Sequence, residues 1–174
     1  MLRADSAIKG SWPDGEDVNN SVGVRTRDVA LAYLLLRATI GLNIFIHGAS
    51  RILAGVSSFA NSLVPMFQKT LLPAWSVHWF GLALPWVETI LGFLVLAGLR
   101  TRFALIGGSV FIFVLTFGST LRQDWESAGL QLIYASIYAA LLAFRDKNVY
   151  SLDALLHGDD DEKAAVTPSE RGAR

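Results

Sequence analysis

The chain of 174 residues contains no cysteine. Disulfide bonds, iron–sulfur ligation by thiolates and thiol catalysis are therefore excluded for this sequence. A glycine-rich phosphate loop, residues at metal-ligand spacing and a Ser–His–Asp set are also missing. The sequence thus lacks the usual signs of a nucleotide-binding protein, a metalloenzyme or a serine hydrolase.

Charged side chains are scarce over most of the chain, although 15 basic and 15 acidic residues balance each other. Residues 29–144 contain nine charges, and the two terminal segments hold the other 21. Hydrophobic residues make up 52% of the chain, and the mean hydropathy is +0.42. This distribution indicates the lipid bilayer as a partner, and no nucleic acid is expected.

Four apolar segments are long enough to cross a bilayer, which takes about 20 residues of helix. The third of them is apolar on every side, whereas a helix of a soluble bundle keeps a polar face. We therefore predict an all-α fold, an integral membrane four-helix bundle. The predicted spans are Val29 to His47 (extendable to Leu53), Trp79 to Leu99, Phe103 to Leu121 and Ala128 to Phe144.

Between the first two spans lies a long connection, residues 54–78, broken by Pro65 and Pro73. Its mixed composition predicts a short interfacial helix followed by a loop, lying on the membrane surface. The membrane domain is assigned to residues 28–156. The polar residues 1–27 and 157–174 are predicted to be disordered tails.

Basic residues near the ends of the spans predict the orientation of the bundle. Six lie at one end and three at the other, which places both termini in the cytoplasm. The six are Arg25, Arg27, Arg100, Arg102, Arg145 and Lys147, and the three are Arg51, Lys69 and Arg122.

Two charges, Arg37 and Glu88, lie alone in the middle of the first and second spans. A charge at that depth costs roughly 2.5 to 3.5 kcal/mol, so it needs a partner or a function. At about 1.5 Å per residue, Arg37 is roughly 14 Å from Asp28 and Glu88 roughly 18 Å from Arg100. Similar depths on antiparallel helices predict an ion pair, which either fixes helix register or forms part of a polar site.

The first span carries further polar residues on the side of Arg37, within an arc of about 160°. They face the bundle interior and predict a pocket for a substrate or quinone, in which the fourth span offers hydrogen-bonding groups. For His47 and Arg51 the alternative is a simple interfacial anchor. The pocket residues predicted are Asn43, His47, Arg51, Trp125, Gln131 and Tyr134.

In order and spacing, four motifs of this chain resemble the DoxX family of small four-helix membrane proteins. The first is LLLRATIGLNIFIHGASRIL, residues 34–53, with an arginine, small residues, then HG and a basic residue. The others are ETILG from Glu88, GLRTRFA from Gly98 and the closing YSLD from Tyr150. The resemblance covers about residues 30–156.

The resemblance implies a membrane subunit like that of thiosulfate:quinone oxidoreductase, which passes electrons from thiosulfate or a related reductant to quinone. It implies Glu88 and Arg37 as catalytic residues, quinone as a substrate and no covalently bound cofactor. A soluble or membrane oxidoreductase subunit is the expected partner, in the plasma (inner) membrane of a prokaryote. Whether the chain is catalytic stays open, because a non-catalytic anchor or assembly factor for a soluble oxidoreductase fits the same pattern.

Overall fold

The computed structural model describes residues 15–156, and within them the chain forms helices and no strand. Helix α1 is Gly15–Met66, α2 is Ala74–Ala97, α3 is Thr101–Leu121 and α4 is Trp125–Ala143. A single 3-10 turn follows at Arg145–Lys147, and residues 152–156 form one last helical turn. The predicted all-α fold is confirmed.

Each of the four helices contains a segment long and apolar enough to span a membrane. These segments are Arg25–Ala54, Ala74–Ala97, Thr101–Leu121 and Trp125–Ala143. Large apolar side chains such as Phe113 and Phe103 are 72% and 71% exposed on the outside of the bundle, as lipid contact requires.

The helix ends differ from the predicted ones at α1, α2 and α4. Helix α2 starts at Ala74, five residues before the predicted start at Trp79 and directly after Pro73. Helix α1 starts at Gly15, inside the segment assigned to a tail, because extending a formed helix costs much less than nucleating one. Helix α4 starts three residues early, where the Asp124 carboxylate accepts a hydrogen bond from the Ser127 amide, 3.1 Å away. The tail predictions for residues 1–14 and 157–174 lie outside the described residues.

A kink at Gly55 separates the first span from the predicted interfacial helix. Gly55 has φ 104° and ψ 106°, a conformation that strains any residue with a side chain. The helix then continues over residues 56–66, so the predicted short helix between the spans is confirmed. Pro65 lies in its final turn, and Pro73 caps the start of α2.

Glycines hold α1 and α2 together at close range. A methyl group at Gly41 would lie 2.5 Å from the Leu96 amide nitrogen, and one at Gly92 would overlap the Phe45 backbone. Residues 41 and 96, 45 and 92, and 48 and 89 are therefore opposed in one antiparallel register. This register determines which polar groups of the two helices can meet.

We call the end of the bundle where α2 finishes and α3 begins the terminal end. The opposite end, with residues 55–74 and 122–125, is the loop end. The last described segment of the chain holds the terminal end together. The Asp153 carboxylate accepts hydrogen bonds from the amides of Arg100 (2.6 Å) and Thr101 (2.7 Å), and so caps α3. The Asp153 amide donates to the Gly98 carbonyl at 3.1 Å, so the YSLD motif closes the α2–α3 turn.

We expect Gly92→Ala to destabilise the protein by about 1–3 kcal/mol, because the added methyl group forces α1 away from α2. The matched control is Gly129→Ala on α4, where nothing lies within 4 Å of the new group. That change should leave stability unchanged or raise it slightly. Thermal unfolding in one detergent measures both, and equal shifts for the two variants would contradict the register.

Candidate functional site

Arg37 is almost fully buried, with 2% of its surface exposed, and its hydrogen bonds go to backbone carbonyls. Its Nη1 donates to the carbonyls of Val95 (2.8 Å) and Leu96 (3.1 Å), and its Nη2 donates to the carbonyl of Tyr150 (2.8 Å). Val95 and Leu96 lie in the last turn of α2, where the carbonyls lack the amide donors of a continuing helix, although the Val95 carbonyl also accepts from the Gly98 amide at 3.2 Å. Arg37 therefore fastens the end of α2 to the YSLD segment.

The predicted Arg37–Glu88 ion pair is wrong. The α1–α2 register sets Arg37 opposite the Arg100 turn, which lies 12 residues, or roughly 18 Å, along the helix from Glu88. The prediction assumed that both helices start level with the membrane surface, whereas α1 extends well beyond the end of α2. The arginine that meets Glu88 is Arg51.

Arg51 and Glu88 form an ion pair between Nη1 and Oε2 near the loop end of the bundle. The Glu88 side chain is 7% exposed and the Arg51 side chain 30%. The Arg51 guanidinium also lies over the Phe59 ring, 4.8 Å from its centroid, which adds a cation–π contact from the interfacial helix. This is the ion pair most deeply placed among the described residues.

On one side of this pair lies a cavity of about 260 Å³, which we call the inner cavity. The Tyr134 hydroxyl donates to Asn43 Oδ1 at 3.3 Å, and Gln131 Nε2 donates to Ser119 Oγ at 3.1 Å. Gln131 Oε1 is buried and accepts no hydrogen bond. Six predicted site residues thus line one space: Asn43, His47, Arg51, Glu88, Gln131 and Tyr134.

Two predicted site residues lie elsewhere. Arg37 is at the terminal end, and Trp125 is 66% exposed at the start of α4, outside the inner cavity. Trp75 and Trp79, at the start of α2, are similarly exposed at the same loop end. The position of Trp125 is that of an interfacial aromatic residue, which anchors a helix at the membrane surface.

On the other side of the Arg51–Glu88 pair lies a second space of about 240 Å³, the outer cavity. The two cavities share five lining residues: Arg51, Glu88, Leu115, Ser127 and Gln131. The ion pair therefore stands between an inner space rich in hydrogen-bonding groups and an outer one lined by the interfacial helix. Both cavities therefore have the charged side chains of Arg51 and Glu88 in their walls.

The outer cavity contains a second arginine, Arg122, one of the three basic residues that the sequence places at this end of the bundle. Its Nη1 lies 3.1 Å from Met66 Sδ, its Nη2 donates to Asp124 at 2.7 Å, and it lies 5.2 Å from the Phe67 ring centroid. Hydrogen bonds from the Ser127 side chain and backbone, with the nearby Arg122 charge, lower the pKa of Asp124, so this carboxylate stays charged. The Nε of Arg122 is buried without a partner.

Met66 and Phe67 were missed because they belong to a connection, not to a span. Their signal in the sequence is weak: apolar residues beside Pro65, in a segment read as lying on the membrane surface. The kink at Gly55 brings this segment back against α3 and α4, where both residues line the outer cavity. A kink at a single glycine is not visible in hydrophobic periodicity.

We expect Arg37→Gln to destabilise the protein strongly, because the Leu96 and Tyr150 carbonyls lose the Arg37 donors, and each carbonyl left without a partner costs about 1–3 kcal/mol. Arg27→Gln is the control, since it removes the same charge from an exposed position of the same helix. Chemical denaturation in detergent compares the two variants. If Arg37→Gln proved as stable as Arg27→Gln, Arg37 would not hold the terminal end together.

For the Arg51–Glu88 pair we expect strong coupling in a double-mutant cycle. Arg51→Gln or Glu88→Gln alone leaves a partly buried charge unpaired, so each should cost more stability than the double change. The expected coupling free energy is about 1–3 kcal/mol. The exposed Asp146–Lys147 pair is the control and should show little coupling, and equal coupling in both pairs would contradict the burial argument.

Comparison with known proteins gives one match. The family model of DoxX matches residues 32–120, more than half of the chain, a range that contains Arg37, Arg51 and Glu88. No curated protein and no solved structure matches the chain. Because the family model matches more than half of the chain, the chain belongs to the DoxX family.

Proposed function

We propose that this multi-pass membrane protein is a subunit of an oxidoreductase that passes electrons from thiosulfate, or a related anionic reductant, to quinone. The observation that carries the proposal is the Arg51–Glu88 pair between two cavities of different chemistry. One cavity suits a neutral ring with carbonyl groups, and the other suits a small anion.

The inner cavity is the proposed quinone site. Tyr134 and Gln131 provide hydrogen-bonding groups for a quinone carbonyl, and Phe111, Ile112 and Leu115 provide an apolar wall. The surrounding surface is apolar, so a hydrophobic quinone can approach from the lipid. The Gln131 side-chain oxygen, buried without a donor, is an acceptor for the hydroxyl of the reduced quinol.

The outer cavity is the proposed site of the reductant. Arg51 and Arg122 supply positive charge, and the unpartnered Nε of Arg122 is a donor for an oxyanion. Two thiosulfate ions would join through a new sulfur–sulfur bond and release two electrons. The quinone would take up these electrons and two protons to become a quinol.

Glu88 is the group placed to carry protons in this reaction. Its carboxylate lines both cavities, so it can receive a proton from one side and pass it towards the quinone on the other. Arg51 holds the carboxylate in position through the ion pair. We assign to Arg51 the pairing with Glu88 that was predicted for Arg37, because both Nη atoms of Arg37 donate to backbone carbonyls.

We also propose that the protein lies in the plasma (inner) membrane of a prokaryote with its terminal end in the cytoplasm. The support is the excess of arginine at the terminal end, where Arg100, Arg102 and Arg145 lie. In this orientation the outer cavity faces away from the cytoplasm. The reductant would then be taken from outside the cell, and a further oxidoreductase subunit could bind at either surface.

Membranes expressing the protein should reduce a short-chain quinone when thiosulfate is added, and Glu88→Gln should lower that rate at least tenfold, since it removes the proton carrier. The matched control is Glu126→Gln, the same change at an exposed position of α4, which should keep the wild-type rate. Tyr134→Phe should raise KM for the quinone and leave KM for thiosulfate unchanged.

Two results would overturn the proposal. The first is the absence of thiosulfate-dependent quinone reduction, with or without proteins that co-purify. The second is a folded Glu88→Gln variant as active as Glu126→Gln, which would favour the non-catalytic anchor for a soluble oxidoreductase. Both variants should therefore be compared for their amount and thermal stability in the same membranes.

A further inference from the structure

A third cavity, of about 540 Å³, lies at the terminal end, far from the Arg51–Glu88 pair. Three arginines line it from two separate parts of the chain. Arg100 and Arg102 belong to the α2–α3 turn and the start of α3, and Arg145 follows the end of α4. The proposed electron transfer makes no use of this space.

The acidic residues in this cavity are already engaged. The Asp153 carboxylate accepts the amide hydrogen bonds of Arg100 and Thr101, and Asp146 pairs with Lys147 at 2.6 Å. None of the three arginines forms an ion pair with another described residue. Among the described residues the lining of the cavity therefore has an excess of positive charge, three arginines against two aspartates, which suits an anionic ligand.

The position of the cavity along the bundle indicates where that anion comes from. The membrane-spanning segments end at Ala97 and Ala143 and begin again at Thr101, so the cavity lies where the apolar surface stops. Phe103, 71% exposed, lines the cavity on its apolar side. The arginines lie at the height of the lipid headgroups and suit an anionic headgroup. The aromatic ring lies on the apolar side and suits an acyl chain.

We propose that this cavity binds the headgroup phosphate of an anionic phospholipid, of the phosphatidylglycerol or cardiolipin class. The guanidinium groups of Arg100, Arg102 and Arg145 hold the phosphate oxygens, because the planar fork of arginine matches phosphate better than a lysine does. Phe103 contacts the first part of an acyl chain. The bound lipid would bridge the α2–α3 turn to the segment after α4.

The test measures lipid binding by the purified full-length protein with native mass spectrometry. The probes are a long-chain phosphatidylglycerol, the zwitterionic phosphatidylcholine of equal chain length, and inorganic phosphate. Arg102→Gln and Arg145→Gln should each weaken phosphatidylglycerol binding about fivefold, and the double variant about 25-fold. Arg27→Gln is the matched control, because it removes the same charge from the terminal end outside the cavity.

The expected result is weaker phosphatidylglycerol binding in the two single cavity variants and the double variant only, with phosphatidylcholine binding unchanged. Equal loss in Arg27→Gln would overturn the proposal, since the attraction would then come from the overall charge of that end. Inorganic phosphate displacing the lipid at millimolar concentration would overturn it in favour of a soluble phosphate ligand. Because no quinone takes part, failure here leaves the proposed electron transfer untouched. Thermal stability in phosphatidylcholine checks that each variant folds.

Discussion

The close approach of α1 and α2 is the constraint on which the rest of the structure depends. Gly41 and Gly92 let the two backbones touch, and this contact fixes one antiparallel register. Lipid tails are as apolar as leucine, so helices in a membrane gain their mutual attraction from packing of this kind and from polar contacts. The same register brings Arg51 to Glu88 and brings Arg37 to the carbonyl end of α2.

Arg37, which is buried, and Arg51, which is half-buried, show two ways of meeting the cost of a charge in a membrane. Arg37 spreads its charge over three carbonyls and so also satisfies a helix end. Arg51 meets a carboxylate and stays partly accessible, beside two cavities. The first arrangement leaves little for a ligand to exchange, whereas in the second a bound anion can compete with Glu88 for the guanidinium. This difference supports the proposal that the chemistry takes place at the loop end.

The sequence allowed much of the fold to be predicted, because long apolar segments are read directly from composition. The four spans and the short helix after the first of them follow from length, hydropathy and Pro65. Five residues of the inner cavity also follow from their shared helix faces, and Glu88 follows as the lone charge of its span. The pairing of Arg37 could not be derived, because depth was counted from the apparent ends of the spans. The register of α1 against α2 instead depends on where their glycines contact the opposite backbone, and hydropathy contains no information about those contacts.

The hydrogen bond from Arg37 to Tyr150 joins a part of the chain that is translated early to one that is translated late. Arg37 is made early, and Tyr150, which accepts its third hydrogen bond, is made 113 residues later. Until that segment emerges, one donor of a guanidinium lying deep in the first helix has no carbonyl to meet. The terminal end is therefore complete only when translation has passed residue 150. A truncated chain lacking that segment leaves Arg37 Nη2 without its acceptor, which lowers stability and so exposes the chain to quality-control proteases.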